Sequence, residues 1–210
     1  LYSTSDLATI KYRKETLHAD KVIIITDERQ QDHFRQIFKI SEILGEGFDY
    51  EKVHVWFGIM RFKDGIFSSR KGNIIKLNDL LDEAKQKVRE TVEEKNPNIP
   101  AKEKELISEI VGIGAIKYFD LSQNRTSPII FEWEKVLSFE GNTGPYLQYT
   151  YARIKSIFRK FKEENIEYTK NSKIILESDI EKDLALVLLN FPNVVVKAAE
   201  SYRPNLIADY

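Results

Sequence analysis

A short run in the first half of the chain combines the groups that bind phosphate. It reads Ile66-Phe67-Ser68-Ser69-Arg70-Lys71-Gly72. Adjacent hydroxyls can donate to phosphate oxygens, adjacent cations can neutralise them, and glycine permits backbone conformations that other residues avoid. An ordinary polar turn has the same composition, so the phosphate-binding interpretation depends on the elements around the run.

The elements before this run predict a parallel crossover unit. Residues 22–26 form a continuous apolar stretch rich in β-branched side chains, as expected for a buried parallel strand. Apolar residues then recur at helical spacing over residues 34–44, and Gly45 and Gly47 end that helix. A second strand over residues 53–57 completes the strand–helix–strand unit.

Ligands of such sheets bind at the carboxyl ends of the strands. Those ends are residues 26–31 and residues 57–60. A helix is predicted ahead of the first strand, with N-cap candidates at residues 3–6 and an end near Leu17. The sequence therefore brings its polar candidates to one edge of a small parallel sheet.

Helices are predicted after the phosphate-binding run. A short strand over residues 73–77 precedes a helix that Asn78 caps and that continues through Val88. Residues 95–100 break this helix, and another begins near Ala101.

The pattern is helical throughout from Trp133 onward. The predicted fold class is α/β followed by all-α. We place one domain over residues 1–135 and a second over residues 136–210.

Residues 146–162 form an amphipathic helix with two distinct faces. The predicted core stripe is Leu147, Tyr151, Ile154, Phe158 and Phe161. A second face carries Tyr146, Tyr149, Arg153, Ser156 and Lys160. Aromatic planes beside cations suit unstacked bases and phosphates. The alternative is a solvated charged face with its tyrosines packed on a neighbouring helix.

Composition narrows the function classes. The net charge is −1, so any nucleic-acid surface must be local, and the absence of cysteine excludes disulfides, thiolate metal sites and cysteine nucleophiles. No uninterrupted apolar run approaches the roughly 20 residues of a membrane span. We expect a cytoplasmic protein without membrane contact. Because the chain begins at Leu1 inside a predicted helix start, we interpret it as a fragment.

Six segments, in order, resemble arginyl-tRNA synthetases of class I. They are Tyr2-Ser3-Thr4-Ser5-Asp6, Gln30-Gln31-Asp32-His33-Phe34, Val53-His54-Val55-Trp56-Phe57-Gly58, Phe67-Ser68-Ser69-Arg70-Lys71-Gly72, Gly112-Ile113-Gly114-Ala115-Ile116-Lys117-Tyr118 and Gly141-Asn142-Thr143-Gly144-Pro145-Tyr146-Leu147-Gln148-Tyr149. The last segment is nearly diagnostic of the family.

The resemblance implies an arginine–tRNA ligase. Such an enzyme activates L-arginine with ATP to arginyl-adenylate and transfers the arginyl group to tRNA-Arg. The implied architecture is the C-terminal half of a Rossmann-like catalytic domain followed by the first part of a helical anticodon-binding domain. The implied ligands are ATP with Mg²⁺, L-arginine and tRNA-Arg, without a tightly bound protein metal, and the expected state is a monomer.

The resemblance assigns the arginine contacts to Tyr2, Asp6 and Gln30. A guanidinium has five donors, so a carboxylate acceptor and a planar aromatic neighbour suit it. Tyr2 and Asp6 are four residues apart and share a face if one helix includes both. Gln30 lies at the carboxyl end of the first predicted strand.

The resemblance assigns the ATP contacts to His33, Gly58, Ser68, Ser69, Arg70 and Lys71, and catalysis to the last four of these. The loop corresponds to the class I signature Lys-Met-Ser-Lys-Ser, but Ile66 and Ser69 occupy the two lysine positions. Arg70 or Lys71 is therefore the expected cation that stabilises charge on the transferring phosphate. In the helical domain, Tyr146, Tyr149 and Arg153 match tRNA-facing positions.

Class I enzymes also need a His-Ile-Gly-His-type motif, and none of the histidines of this chain, His18, His33 and His54, lies in one. We therefore expect the isolated chain to be inactive. The alternatives are a non-catalytic tRNA-binding paralogue and a cysteine-type class I synthetase. Tyr2, Asp6 and Gln30 together favour the arginine enzyme over the paralogue. The absence of zinc-ligand spacing disfavours a zinc-dependent cysteine enzyme.

Overall fold

The computed structural model describes residues 2–62, 65–66, 76–164 and 173–210. The predicted phosphate-binding residues 68–71 lie outside these ranges, as do residues 73–75 of the predicted short strand. The chain divides into two compact units, one of Leu1–Met60 with Arg125–Ile129 and one of Arg61–Asn124 with Ile130–Tyr210.

The first unit is built around a parallel strand pair. Its elements in chain order are α1 (Tyr2–Glu15), β1 (Lys21–Asp27), a one-turn 3-10 helix (Glu28–Gln30), α2 (Gln31–Leu44) and β2 (Glu51–Phe57). Strands β1 and β2 pair in parallel from Lys21 opposite Glu51 to Asp27 opposite Phe57. The predicted crossover unit is confirmed, and both strands end at the same edge.

The core of this unit lies on one face of the strand pair. Ile10 of α1, Ile37 of α2 and Phe48 are buried together, and Ile24 of β1 packs against them. The opposite face is open, with Ile25 65% exposed. The expectation of a buried strand over residues 22–26 is therefore met on the Ile24 face, which α1 and α2 cover, and is wrong for the Ile25 face among the described residues.

Local signals located some helix boundaries, such as the start of α4 at Ala101, and missed others. Helix α2 stops as predicted at Gly45, whose φ of 73° is a left-handed conformation that glycine adopts without steric cost. The predicted caps at residues 3–6 lie inside α1, which ends at Glu15 rather than Leu17. Asn78 is likewise inside its helix, because Lys76 occupies the N-cap position.

The remaining elements are mostly helical. They are β3 (Met60–Phe62), β4 (Gly65–Ile66), α3 (Leu77–Lys95), α4 (Ala101–Ser122), β5 (Ile129–Phe131), α5 (Trp133–Val136), α6 (Gly144–Glu163), α7 (Asp179–Ser201) and α8 (Asn205–Asp209). The short strands form a three-stranded sheet in the order β4, β3, β5. Leu77 begins α3, so the predicted strand does not extend to it.

Glycines allow α4 to pack closely on two other helices. A Cβ built at Gly112 would lie 2.9 Å from the backbone of Ala84 in α3. A Cβ at Gly144, in the first turn of α6, would lie 3.0 Å from the Cα of Ala115. Contacts this short leave no room for a side chain. Two of the motifs quoted above therefore have a packing role in the second unit.

The predicted core stripe of α6 is not buried. Leu147, Ile154 and Phe158 are all exposed, Ile154 by 47%, and Tyr151 is exposed as well. Phe161 is half-buried. The buried residues of α6 are Gly144 and Pro145, in the first turn of the helix. Helical periodicity identifies residues that share a face but does not supply a partner for that face.

Helix α7 is apolar and exposed. A capping box fixes its start: Ser178 accepts from the backbone N–H of Glu181, whose carboxylate accepts from that of Ser178. By length and composition alone, α7 is the one helix in the described part of the chain that could cross a membrane. A long core helix of a soluble protein passes the same test, so this is weak support for a membrane span.

Candidate active site and candidate RNA-binding helix

Two predicted site residues from different segments are in direct contact. Nε2 of His33 lies 2.7 Å from Oδ2 of Asp6, and the two side chains are 27% and 36% exposed. The sequence placed Asp6 on the arginine side and His33 on the nucleotide side. In the first unit they form one hydrogen-bonded pair.

The first turns of α1 and the end of β1 carry the predicted arginine-binding side chains. Tyr2 and Asp6 both lie within α1, so their spacing of four places them on one face as expected. Tyr2 is 88% exposed. Gln30 ends the 3-10 turn that follows β1 and is also exposed, with His33 in the first turn of α2.

An Asp27–Arg29 pair holds the turn that leads to Gln30. Asp27 Oδ1 accepts from the backbone N–H of Arg29 at 2.9 Å, and the Arg29 guanidinium donates to both carboxylate oxygens at 3.0 and 2.7 Å. These hydrogen bonds lower the pKa of Asp27 and raise that of Arg29. Asp27 therefore stays ionised and keeps the strand-to-helix connection in place. Sequence reasoning did not identify this pair, although an Asp directly before a turn is a recognisable capping signal.

Phe34 forms a buried support between two histidines. Its ring centroid lies 5.0 Å from that of His33 and 4.8 Å from that of His54 on β2. Nε2 of His54 is 2.8 Å from Oγ1 of Thr26 at the end of β1. Burial lowers the pKa of His54, and the positive charge of Arg125 lowers it further, so the imidazole is neutral near pH 7. The Thr26–His54 contact was not evident from the strand pairing alone, because it depends on the direction in which the two side chains point.

Gly58 is packed against a chain segment that the sequence did not link to it. Its backbone N–H donates to the carbonyl oxygen of Arg125 at 2.6 Å, and a Cβ at residue 58 would lie 2.6 Å from the carbonyl oxygen of Ser127. The Arg125 guanidinium donates to the carbonyl oxygen of Trp56 at 2.5 Å. The close backbone packing is by itself a sufficient reason for a glycine at residue 58, and no ligand contact is needed to explain it.

The predicted loop residues Ser68, Ser69, Arg70 and Lys71 lie outside the described ranges. Within those ranges, no group of three or more His, Cys, Asp or Glu side chains is arranged to hold a metal ion. The described candidate site residues contribute a phenol from Tyr2, a carboxylate from Asp6, an amide from Gln30 and an imidazole from His33.

In the second unit, α6 presents its predicted RNA-facing residues to solvent. Tyr146 and Tyr149 are 43% and 50% exposed. The guanidinium carbon of Arg153 lies 5.8 Å from the ring centroid of Tyr149, and Thr143 caps the helix by accepting from the backbone N–H of Tyr146 at 3.2 Å. The tyrosines are not packed in a helical core, which was the alternative for this face.

The segment before α6 is tied to the end of the chain. The hydroxyl of Tyr118 in α4 lies within hydrogen-bond distance of both Asn142 Oδ1 and the carbonyl oxygen of Ala208. Nδ2 of Asn142 donates to Oδ1 of Asp209 at 3.2 Å. Gln148 Nε2 donates to the carbonyl oxygen of Ile110 at 3.2 Å. Polar residues of the last two motifs thus hold α4, α6 and α8 together.

Family models match most of the chain. Residues 1–133 match the catalytic domain of class I tRNA synthetases (R), and residues 147–210 match the DALR anticodon-binding domain. These assignments confirm the predicted fold class of a class I catalytic segment followed by a helical anticodon-binding segment.

Relatives named arginine–tRNA ligase match over the whole chain. The protein of Fusobacterium nucleatum subsp. nucleatum is 59% identical over 210 residues, and that of Enterobacter sp. strain 638 is 45% identical over 216 residues. In both comparisons the match covers 100% of this chain and 37% of the relative. The chain therefore spans about 37% of the length of these relatives.

Solved arginyl-tRNA synthetases share the fold. The structure from Thermus thermophilus matches with a TM-score of 0.83 at 26% identity, and the match covers all of this chain and 39% of that one. The structure from Plasmodium falciparum matches with a TM-score of 0.77 at 29% identity and covers 35% of that chain. Both domain models, whole-chain relatives and the shared fold agree, and the chain belongs to the class I arginyl-tRNA synthetase family.

Proposed function

We propose that the protein carrying this chain is an arginine–tRNA ligase. It activates L-arginine with ATP to arginyl-adenylate and transfers the arginyl group to tRNA-Arg. The observation that carries the proposal is Asp6, a partly exposed carboxylate that His33 holds in place, in a chain of this family. A carboxylate in that setting is the acceptor that a guanidinium requires.

Arginine is recognised by Tyr2, Asp6 and Gln30. The carboxylate of Asp6 pairs with the substrate guanidinium, the Tyr2 ring covers one side of it, and the Gln30 amide completes the polar contacts. Their placement supports this: Tyr2 and Asp6 share a face of α1, and Gln30 follows the carboxyl end of β1. The open carboxyl edge of a parallel sheet is where such folds bind ligands.

ATP is bound by the backbone around Gly58 and by the loop residues Ser68, Ser69, Arg70 and Lys71. The hydroxyls donate to phosphate oxygens, and Arg70 or Lys71 stabilises the charge that develops during adenylate formation. Among the described residues no carboxylate cluster suits a metal ion. We assign Mg²⁺ to the nucleotide substrate, whose phosphate oxygens are the ligands that this ion prefers.

The tRNA is bound by Tyr146, Tyr149 and Arg153 of α6. Their exposure and the placement of Arg153 over the Tyr149 ring support this role. We keep the domain boundary between residues 135 and 136, and family models that cover residues 1–133 and 147–210 support it. We also propose a cytoplasmic monomer, and the relatives named arginine–tRNA ligase support the location.

A full-length preparation tests the proposal. With arginine, ATP and tRNA-Arg it should form arginyl-tRNA and catalyse tRNA-dependent ATP–pyrophosphate exchange. The 210-residue chain alone should do neither, because it spans about 37% of its relatives and lacks a His-Ile-Gly-His-type motif. A full-length protein that binds tRNA but never charges it would instead indicate the non-catalytic paralogue. Exchange that depends on cysteine instead of arginine would favour the cysteine-type enzyme.

A further inference from the structure

We propose that His33 is a positioning residue for arginine: it fixes the Asp6 carboxylate by donating a hydrogen bond from Nε2, and its effect on the reaction passes through Asp6. This inference rests on the proposed function, in which Asp6 receives the substrate guanidinium. It differs from the sequence assignment, which gave His33 a direct contact with the nucleotide.

The contact itself supplies the first argument. Nε2 of His33 is 2.7 Å from Oδ2 of Asp6, a normal length for a hydrogen bond to a carboxylate. An ionised carboxylate only accepts hydrogen bonds, so the proton must be on Nε2. The carboxylate offers about four lone-pair sites on its two oxygens. One hydrogen bond to Oδ2 therefore leaves acceptor capacity for the N–H donors of a guanidinium.

His33 is itself held in place by neighbouring aromatic rings. The His33 ring packs edge-on against Phe34, which is buried and in turn contacts the His54 ring. His54 is held by Thr26 at the end of β1. The imidazole is thus held in place beside the strand pair. Through its hydrogen bond, it holds the shorter, partly exposed Asp6 side chain in place as well. A carboxylate fixed before the ligand arrives loses less conformational freedom on binding.

The His33–Asp6 hydrogen bond also connects two separate elements of the first unit. His33 lies in the first turn of α2, three residues after Gln30, which ends the 3-10 turn between β1 and α2. Asp6 comes from α1. The hydrogen bond therefore ties two separate elements at the point where both contribute a predicted arginine contact. Loss of His33 should loosen the position of Asp6 relative to Gln30 while the nucleotide contacts stay as they are.

The test compares His33→Ala and His33→Gln in the full-length protein by steady-state aminoacylation. His33→Ala should raise the KM for arginine about tenfold, the loss expected for a hydrogen bond to a charged group, with the KM for ATP within about twofold of wild type. His33→Gln should recover most of the arginine affinity, because its amide can donate to the same carboxylate oxygen. Equal rises in both KM values, or a rise for ATP alone, would overturn the proposal.

A double-mutant cycle with Asp6→Ala provides the second measurement. If His33 acts through Asp6, adding His33→Ala to Asp6→Ala should change kcat/KM for arginine by less than about twofold. Full additivity contradicts the inference. The matched control is His18→Asn, because His18 is exposed, lies outside the site and has a φ of 52° that asparagine tolerates.

These results also separate this inference from the proposed function. If the wild-type protein does not charge tRNA with arginine, or if Asp6→Ala leaves the KM for arginine unchanged, the proposed function or its arginine site fails. If Asp6→Ala raises that KM and His33→Ala does not, only the positioning role fails. A melting temperature for each variant shows whether His33→Ala is folded, and His33→Gln gives the answer if it is not.

Discussion

Gly58 and Ser127 approach so closely that residue 58 has no room for a side chain. A Cβ there would lie 2.6 Å from the carbonyl oxygen and 2.8 Å from the carbonyl carbon of Ser127. Both atoms belong to the backbone, and Gly58 N–H is bonded to Arg125 in the same segment. The segment around residue 127 is thereby fixed against the end of β2.

Gly58→Ala should lower the free energy of unfolding by about 1–3 kcal/mol, the usual cost of forcing an atom into a packed site. Chemical unfolding of the two proteins measures the difference. Gln36→Ala is the control, because Gln36 is exposed on α2 and its truncation adds no atom to a packed site. Equal losses in both variants would mean that the Ser127 contact relaxes easily.

Asp6→Ala should raise the KM for arginine strongly and leave ATP binding nearly intact. The bound guanidinium would lose its charged partner, and such a loss costs about 2–5 kcal/mol where the bound substrate is enclosed away from water. Asp6→Asn is a useful companion, because it keeps the size of the side chain and removes its charge. Unchanged arginine affinity in both variants would remove Asp6 from the binding site.

The double substitution of Arg70 and Lys71 by alanine should lower kcat for adenylate formation more than it changes ground-state binding. Charge develops mainly in the transition state, so cations that stabilise it affect kcat first. Pyrophosphate exchange provides the measurement, and alanine substitutions of Arg35 and Lys39, exposed on α2, provide the control. An unchanged exchange rate would leave the loop with a structural role alone.

Alanine substitution of either Tyr146 or Tyr149 should weaken tRNA-Arg binding by roughly one or two orders of magnitude. The reason is that stacking of a base on an aromatic ring contributes about 1–3 kcal/mol. Tyr149→Phe keeps the ring and should bind nearly as well as wild type. The exposed Tyr12 of α1 offers a control substitution. A lower melting temperature with unchanged RNA affinity per folded molecule would refute the RNA-facing role.

The stability of the first unit should depend on pH through His54. Burial and Arg125 hold the pKa of His54 below its ordinary value of about 6.5. As the pH falls below about 6.5, the unfolded chain binds a proton at His54 and the folded protein does not. Stability is therefore lost through that window until the folded pKa is reached. His54→Gln should flatten this part of a urea-unfolding series, whereas His18→Asn should not.

Much of the local structure followed from the sequence, because it depends on neighbours along the chain. β-Branched runs produced β1 and β2, and a glycine able to adopt a positive φ ended α2 at Gly45. The spacing of Tyr2 and Asp6 placed both on one face of α1. The start of α3 was not predicted correctly, because Asn78 offers a capping side chain whether or not the backbone begins its turn there.

Motif order along the chain was enough to identify the family, and the relatives confirm it. Only the tertiary structure decided which residues meet. Asp6 and His33 are 27 residues apart, and their contact depends on how α1 packs beside α2. The tertiary structure also determined which apolar side chains are exposed. Ile25 and Ile154 are of a residue type common in protein cores, yet no described element covers them. Sequence periodicity fixes the direction of a side chain from its own backbone, and the packing of distant segments decides what that side chain contacts.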